Sequence, residues 1–297
     1  MSFIVHKPLT KYNGERKTKE PFIGVHLQCG TMTHSDALQD LVADFPEICD
    51  IQTFVRGPAN IKKINIDSQF QRTAQKLGVE INVHGSYLCL PWRSPFLFKH
   101  TLDNFRDAHA IGGNNLVLHI PYAPIKEWLP SIIKLVARIR KERLTPLVMM
   151  ETAATISHPE NSYESPAKLN RLTKAIYRAR VHTNVVLCID TAHIHASGVQ
   201  ISTYEQAKKY CDALDKRLIG SVQLNGNSIV PGIQKTSDRH EIPLSPEDLI
   251  WRNMRYGDSG CRAFIELCIE LNIPIVVELS KNHSRRALRE FIDKIRL

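Results

Sequence analysis

Histidine, aspartate and glutamate recur in this 297-residue chain where short apolar runs end. His84, His119, Glu151, Asp190 and Glu278 each close such a run. His193 follows one helical turn after Asp190 in Asp190-Thr-Ala-His193, and Asp238 and His240 lie in Ser237-Asp238-Arg239-His240, beyond a further run. Imidazole nitrogens and carboxylate oxygens suit Zn²⁺, and also serve Mn²⁺ or Fe²⁺. One such residue at a strand end is ordinarily just a hydrogen-bonded polar group. Eight of them, from six successive strand ends and their loops, are too many for one ion and point to a cluster of divalent cations. A hydrogen-bonded polar layer is the bland alternative.

For these side chains to meet, the runs must share one end of one scaffold. Eight β-rich segments cover residues 22–27, 50–54, 80–84, 115–119, 146–151, 184–190, 218–224 and 273–278. Stretches with helical periodicity alternate with them, at 65–77, 96–111, 126–143, 165–182, 203–215, 261–271 and 284–295. Strand alternating with helix at intervals of about 30–35 residues is the pattern of repeated βα units on a parallel sheet. Eight repeats predict an α/β chain closed into a single (β/α)8 TIM barrel, whose strand ends gather at the carboxyl face. The interval 225–259 is long and rich in Gly, Pro, Ser and charge, so it reads as a functional loop.

The expected organisation is a flexible basic arm over residues 1–21 and one barrel domain over 22–297. The arm carries Lys7, Lys11, Arg16, Lys17 and Lys19 and has no apolar core of a secretory signal. No apolar run approaches the roughly 20 residues of a membrane span, so a soluble intracellular protein is expected. The seven cysteines are scattered without a CxxC pair, as suits small buried thiols. The net charge of +9 suits a polyanionic partner, because neutralising phosphates releases counterions; many basic proteins nonetheless bind no nucleic acid specifically.

The segments Val83-His84-Gly-Ser-Tyr87-Leu88, Leu116-Val-Leu-His119, Met150-Glu151-Thr152, Leu187-Cys-Ile-Asp190-Thr-Ala-His193 and Val277-Glu278 resemble the endonuclease IV family of apurinic/apyrimidinic (AP) endonucleases. They occur in the family's order over nearly the whole barrel. Tyr87-Leu-Cys-Leu-Pro-Trp92 and His193-Ile-His-Ala-Ser-Gly198 are most similar to the branch found in large DNA viruses. The resemblance implies three Zn²⁺ sites, with Mn²⁺ an alternative. His84, His119 and Glu151 match the ligands of the first ion, with Glu151 bridging to the second. Asp190 and Glu278 match the second, and His193, Asp238 and His240 the third. It implies hydrolysis of the phosphodiester 5′ to an abasic site in duplex DNA, leaving a 3′ hydroxyl, with Glu278 and Glu151 as catalytic groups and 3′-end trimming as a further activity. It also implies that Tyr87 and Leu88 wedge into the duplex, where a missing base lowers the cost of unstacking. Arg56 and Arg239 are the candidate phosphate contacts.

The sequence departs from the family in Val222-Gln223-Leu-Asn-Gly226, where Gln223 replaces a histidine of the second ion and Gly226 an aspartate. Three arrangements follow: coordination through Gln223 or a water, a harder ion such as Mn²⁺, or no ion at that site. Two other functions stay open, namely a sugar isomerase or epimerase on a related metal barrel, and a lesion-binding protein that has lost cleavage. No obligatory protein partner or membrane is expected and the chain is read as a monomer. A viral source implies a nuclear or cytoplasmic replication site, or the particle.

Overall fold

In a computed structural model, residues 20–154, 162–229, 239–279 and 283–296 are described. The arm, apart from Glu20 and Pro21, and the expected ligand Asp238 lie outside them. The chain runs β1 (Phe22–His26), α1 (His34–Asp44), β2 (Ile48–Phe54), α2 (Phe70–Leu77), β3 (Glu80–His84), α3 (Pro95–Ala110), β4 (Asn115–His119), α4 (Ile125–Lys141), β5 (Leu147–Glu151), α5 (Pro166–Arg178) and β6 (Val185–Asp190). It continues through α6 (Thr191–Ala196), α7 (Tyr204–Asp212), β7 (Ile219–Gln223), β8 (Gly226–Asn227), β9 (His240–Glu241), α8 (Gly260–Leu271), β10 (Pro274–Val277) and α9 (Arg285–Ile295). Eight parallel strands close in the order β1-β10-β7-β6-β5-β4-β3-β2, the TIM barrel expected from the repeats.

The period of two divides each strand between helices and lumen. Val25, Ile51, Val83, Leu116, Val148, Leu187 and Val277 face outward into one large apolar core with the helices. The lumen is divided. On the β4–β6 side, Val117, Met149, Val186 and Cys188 form a separate apolar cluster. On the β2–β4 side, Asn82 donates to Asp50 Oδ2 at 2.6 Å, and Asn115 donates to Asn82 Oδ1. Burial pushes the Asp50 carboxyl up to about 8 against the opposing effect of the Asn82 bond.

Local chemistry sets the helix ends. Thr33 caps α1 by accepting from Asp36 N, Ser94 caps α3 ahead of Pro95, and Thr203 with Gln206 closes a capping box on α7. Two helices fall outside the expected set. In α1 the buried face includes His34 and Ser35, the latter donating to Asp67, so its apolar period is broken. The other, α6, is a single turn and a half capped by Asp190.

The long interval 225–259 also contains order. Strands β8 and β9 pair antiparallel, Asn227 opposite His240, which returns His240 to the barrel mouth. Asp248 pins this loop by accepting from the backbone N–H of Asn227, Leu244 and Ile250. A Cβ at position 226 would fall 2.5 Å from the Asp248 carboxyl carbon, so Gly226 is the residue this packing accepts.

Candidate metal centre

Each barrel strand delivers its last inward residue to the carboxyl face. His84, His119 and Glu151 come from the adjacent strands β3, β4 and β5, and their donor atoms lie within 4.8 Å of one another. Glu151 is almost fully buried, with Oε2 3.4 Å from His84 Nε2 and Oε1 3.4 Å from His119 Nε2. His84 Nδ1 lies 2.8 Å from Gly85 O and donates to it, which leaves Nε2 as the nitrogen turned to the glutamate. Gly85 permits this turn, since a Cβ there would stand 2.7 Å from Val117 O.

Asp190, His193 and His240 form a second group of the same size. His193 Nδ1 donates to Thr152 O at 2.7 Å, and His240 Nδ1 donates to Glu278 Oε2 at 2.6 Å. Both Nε2 atoms therefore present lone pairs, and they face each other at 3.4 Å, with Asp190 Oδ2 3.5 Å from that of His240. Three converging acceptors repel one another unless a cation lies among them. In the first group, both Glu151 oxygens and His119 Nε2 are buried without a hydrogen-bond partner. The donor types and this convergence of acceptors fit divalent cations at both groups.

The electrostatics agree. Burial would lower the His84 imidazole, but Glu151 and Glu278 bring it up to about 9. Burial would raise the Glu151 carboxyl, yet the imidazoles of His119, His193 and His84 hold it well below the usual range. At Glu278 burial is likewise overcome, by His240 and then His84, leaving the carboxyl at about 2. A field that attracts a proton to His84 attracts metal ions as well.

Between the groups the geometry differs from the ligand sets implied by the resemblance. Asp190 falls with His193 and His240, whereas Glu278 sits beside them as the partner of His240 Nδ1. Gln223, fully buried at the end of β7, turns its Nε2 to Glu278 Oε1 at 2.7 Å. The sequence reading missed Gln52, whose Nε2 donates to the same oxygen at 2.6 Å, and Asn225, which donates to Asp190 Oδ2 at 2.7 Å. It also missed His26 at the end of β1, lowered to about 4 by desolvation. The strand-end rule, applied to β1, points to His26; a buried amide inside β2 carries no such signal.

At the mouth, Tyr87 is 45% exposed, its ring 5.6 Å from that of His119 and 6.0 Å from that of His84. Leu88 beside it is half-buried. Arg239 is exposed and lines a cavity of about 930 Å³ with His240, His283 and Arg286. Arg56 is not a free phosphate contact. Its Nε and Nη2 lie 2.8 and 2.7 Å from Asp107 Oδ2, and Nη1 donates to Ile61 O at 3.0 Å. Lys63 completes the cluster on Asp107 Oδ1 at 2.7 Å, so Arg56 ties the loop after β2 to α3.

Fold and site define an α/β barrel with two candidate metal-binding groups at its carboxyl face. The chain is similar to curated members of the endonuclease IV family. It is 26% identical over 269 residues to the "Probable AP endonuclease" of African swine fever virus (isolate Pig/Kenya/KEN-50/1950), covering 84% of this chain and 86% of that protein. It is 25% identical over 242 residues to the "Probable endonuclease 4" of Mycoplasma mobile, covering 76% and 80%. No protein-family model matches. Among solved structures, AsfvAP:AG superposes with a TM-score of 0.74 at 22% identity, covering 93% of this chain and 97% of that one. Endonuclease IV from Thermus thermophilus gives 0.69 at 19%, covering 93% and 99%. A xylose isomerase domain containing protein from Salmonella typhimurium gives 0.65 at 19%, covering 95% and 97%. These superpositions show the fold. Among the described residues no helix is long and apolar enough to cross a membrane.

Proposed function

We propose that this chain is a metal-dependent DNA-repair endonuclease that cuts duplex DNA on the 5′ side of abasic sites, leaving a 3′ hydroxyl and also trimming blocked 3′ ends. The observation that carries this reading is the pair of three-donor groups with the exposed Tyr87 ring packed against two of their imidazoles. The relatives named AP endonuclease and endonuclease 4 support the substrate class.

Zn²⁺ suits the His-rich donor sets, with Mn²⁺ as the alternative. Bound ions would supply polarisation of the phosphodiester and neutralise charge on the departing 3′ oxygen. Glu151 lies among three imidazoles, those of His84, His119 and His193. Glu278 has three of its roughly four lone-pair directions occupied by Gln52, Gln223 and His240. The remaining direction, on Oε2, orients the attacking water and accepts its proton. Tyr87 and Leu88 enter the duplex at the gap left by the missing base, and Arg239 faces a flanking phosphate. The chain acts as a monomer with its barrel domain spanning 22–297; the viral relatives support a viral replication site or particle as its setting.

The test is a duplex with one tetrahydrofuran abasic analogue, incubated with purified protein and Zn²⁺ or Mn²⁺. Cleavage 5′ to the analogue is expected. Binding without cleavage would leave a lesion-binding protein. Neither event would favour a sugar isomerase, the reading that the Salmonella structural neighbour supports by fold alone.

A further inference from the structure

We infer that the amides of Gln52 and Gln223 take the place of a middle ion, so that this centre binds two divalent ions where the family resemblance implies three. The inference rests on the metal-centre reading proposed above but not on the abasic substrate.

Glu278 is the residue on which a middle ion depends, and its oxygens are already engaged. Oε1 accepts from Gln52 Nε2 at 2.6 Å and from Gln223 Nε2 at 2.7 Å, while Oε2 accepts from His240 Nδ1 at 2.6 Å. The two amides are interlocked, because Gln223 Nε2 also faces Gln52 Oε1 at 3.5 Å. Turning the Gln223 amide over would set its oxygen against the Glu278 carboxylate and against the Gln52 carbonyl together. The hydrogen-bond network thus fixes which atom faces Glu278, and it is the N–H₂ group. An N–H₂ group carries partial positive charge and cannot act as a metal ligand. A cation bridging Glu151, Asp190 and Glu278 would have to break both amide bonds and would meet two donors aimed at the oxygen it needs.

Asp190, a donor of the other group, already carries one hydrogen bond on each oxygen. Its Oδ1 accepts from His193 N at 2.7 Å and its Oδ2 from Asn225 Nδ2 at 2.7 Å, and Asn225 Oδ1 accepts from Glu278 N at 2.9 Å. Asn225 therefore ties the Asp190 carboxylate to the Glu278 backbone. Glu278 also has an alternative task. A carboxylate that receives the Nδ1 proton of an imidazole fixes the tautomer and aims Nε2 at an ion. His240 is held in that manner, its Nε2 directed to His193 Nε2 and Asp190 Oδ2. Glu278 is then an orienting group for one of two ions and a ligand of neither.

The experiment counts zinc per chain by native mass spectrometry after loading with Zn²⁺ and removal of excess metal. Two ions are expected for the unaltered protein and three for Gln223→His, which restores a nitrogen donor. Gln223→Glu, which also brings a ligand atom, serves as the second variant should the histidine disturb folding, and it too should bind three. Three ions on the unaltered protein would overturn the inference, as would fewer than two. Two ions on both folded variants would overturn it as well, because Gln223 would then not set the number. Two ions bound without cleavage of abasic duplex would sink the substrate reading alone, whereas cleavage with three ions would sink only this one.

Discussion

His240, on β9 in the loop after β7, and Glu278, just past β10, are joined by a 2.6 Å contact between Nδ1 and Oε2. The contact fixes the tautomer of an imidazole whose Nε2 points into the Asp190–His193 group. Glu278→Gln keeps the shape but removes the negative charge and the proton acceptor. Zinc affinity of that group is expected to fall by about 10–100-fold, the usual cost of losing an outer carboxylate. Turnover on abasic duplex should fall by about 10²–10⁴-fold, while duplex affinity is retained. Single-turnover rates and fluorescence anisotropy separate the two effects; an unchanged rate would remove Glu278 from the chemistry.

Tyr87 offers a test of recognition separate from metal binding. Its ring stands over His119 and His84 yet is half open to solvent, so a partner can reach it. Tyr87→Ala should reduce kcat/KM on abasic duplex by about 10–100-fold, or about 1.4–2.7 kcal/mol, with zinc content unaltered. The loss should shrink on a substrate whose lesion lies in a pre-opened bubble, because unstacking is then already done. Equal losses on both substrates would assign Tyr87 to packing against the histidines.

Strand alternation and polar strand ends were enough to place the barrel and most donors at its mouth, because each is written within one short run. What escaped depends on partners far apart in the chain. Gln52 and Asn225 look like ordinary strand and loop amides until β10 closes the barrel and sets Glu278 against them, 226 and 53 residues away. Helix α1 escaped because polar His34 and Ser35 occupy its buried face. Arg56 looked available for phosphate because its acceptor, Asp107, lies 51 residues further on.

That same pairing makes Arg56 a stability residue. Arg56→Ala would leave Asp107, which is 11% exposed, with Lys63 alone and would leave Ile61 O without its donor. A loss of about 1–3 kcal/mol in urea unfolding is expected, from one charged hydrogen-bond partner removed at a mostly buried acceptor. Binding to undamaged duplex should keep its salt dependence, since a residue that does not touch phosphate releases no counterion. A salt slope lowered by about one unit would instead return Arg56 to the DNA interface.

Asp50 lies four residues below the mouth on β2, about 13 Å along the strand from Phe54, so its protonation can be read apart from the metals. Burial sets its folded value at about 8, and the unfolded carboxyl titrates near about 4. Between those values the folded chain holds a proton that the unfolded chain has released. Stability from this group is therefore complete below about pH 4 and declines as pH rises, by at most about 1.4 kcal/mol per unit, until both states are ionised above about pH 8. Asp50→Asn keeps an oxygen for the Asn82 amide and carries no proton to lose. The variant should gain stability over the unaltered protein as pH rises from about 5 to about 7.5, the gap closing again at the acid end. Urea midpoints of both proteins across that range provide the measurement, and parallel curves would mean that Asp50 folds as an ordinary ionised carboxylate.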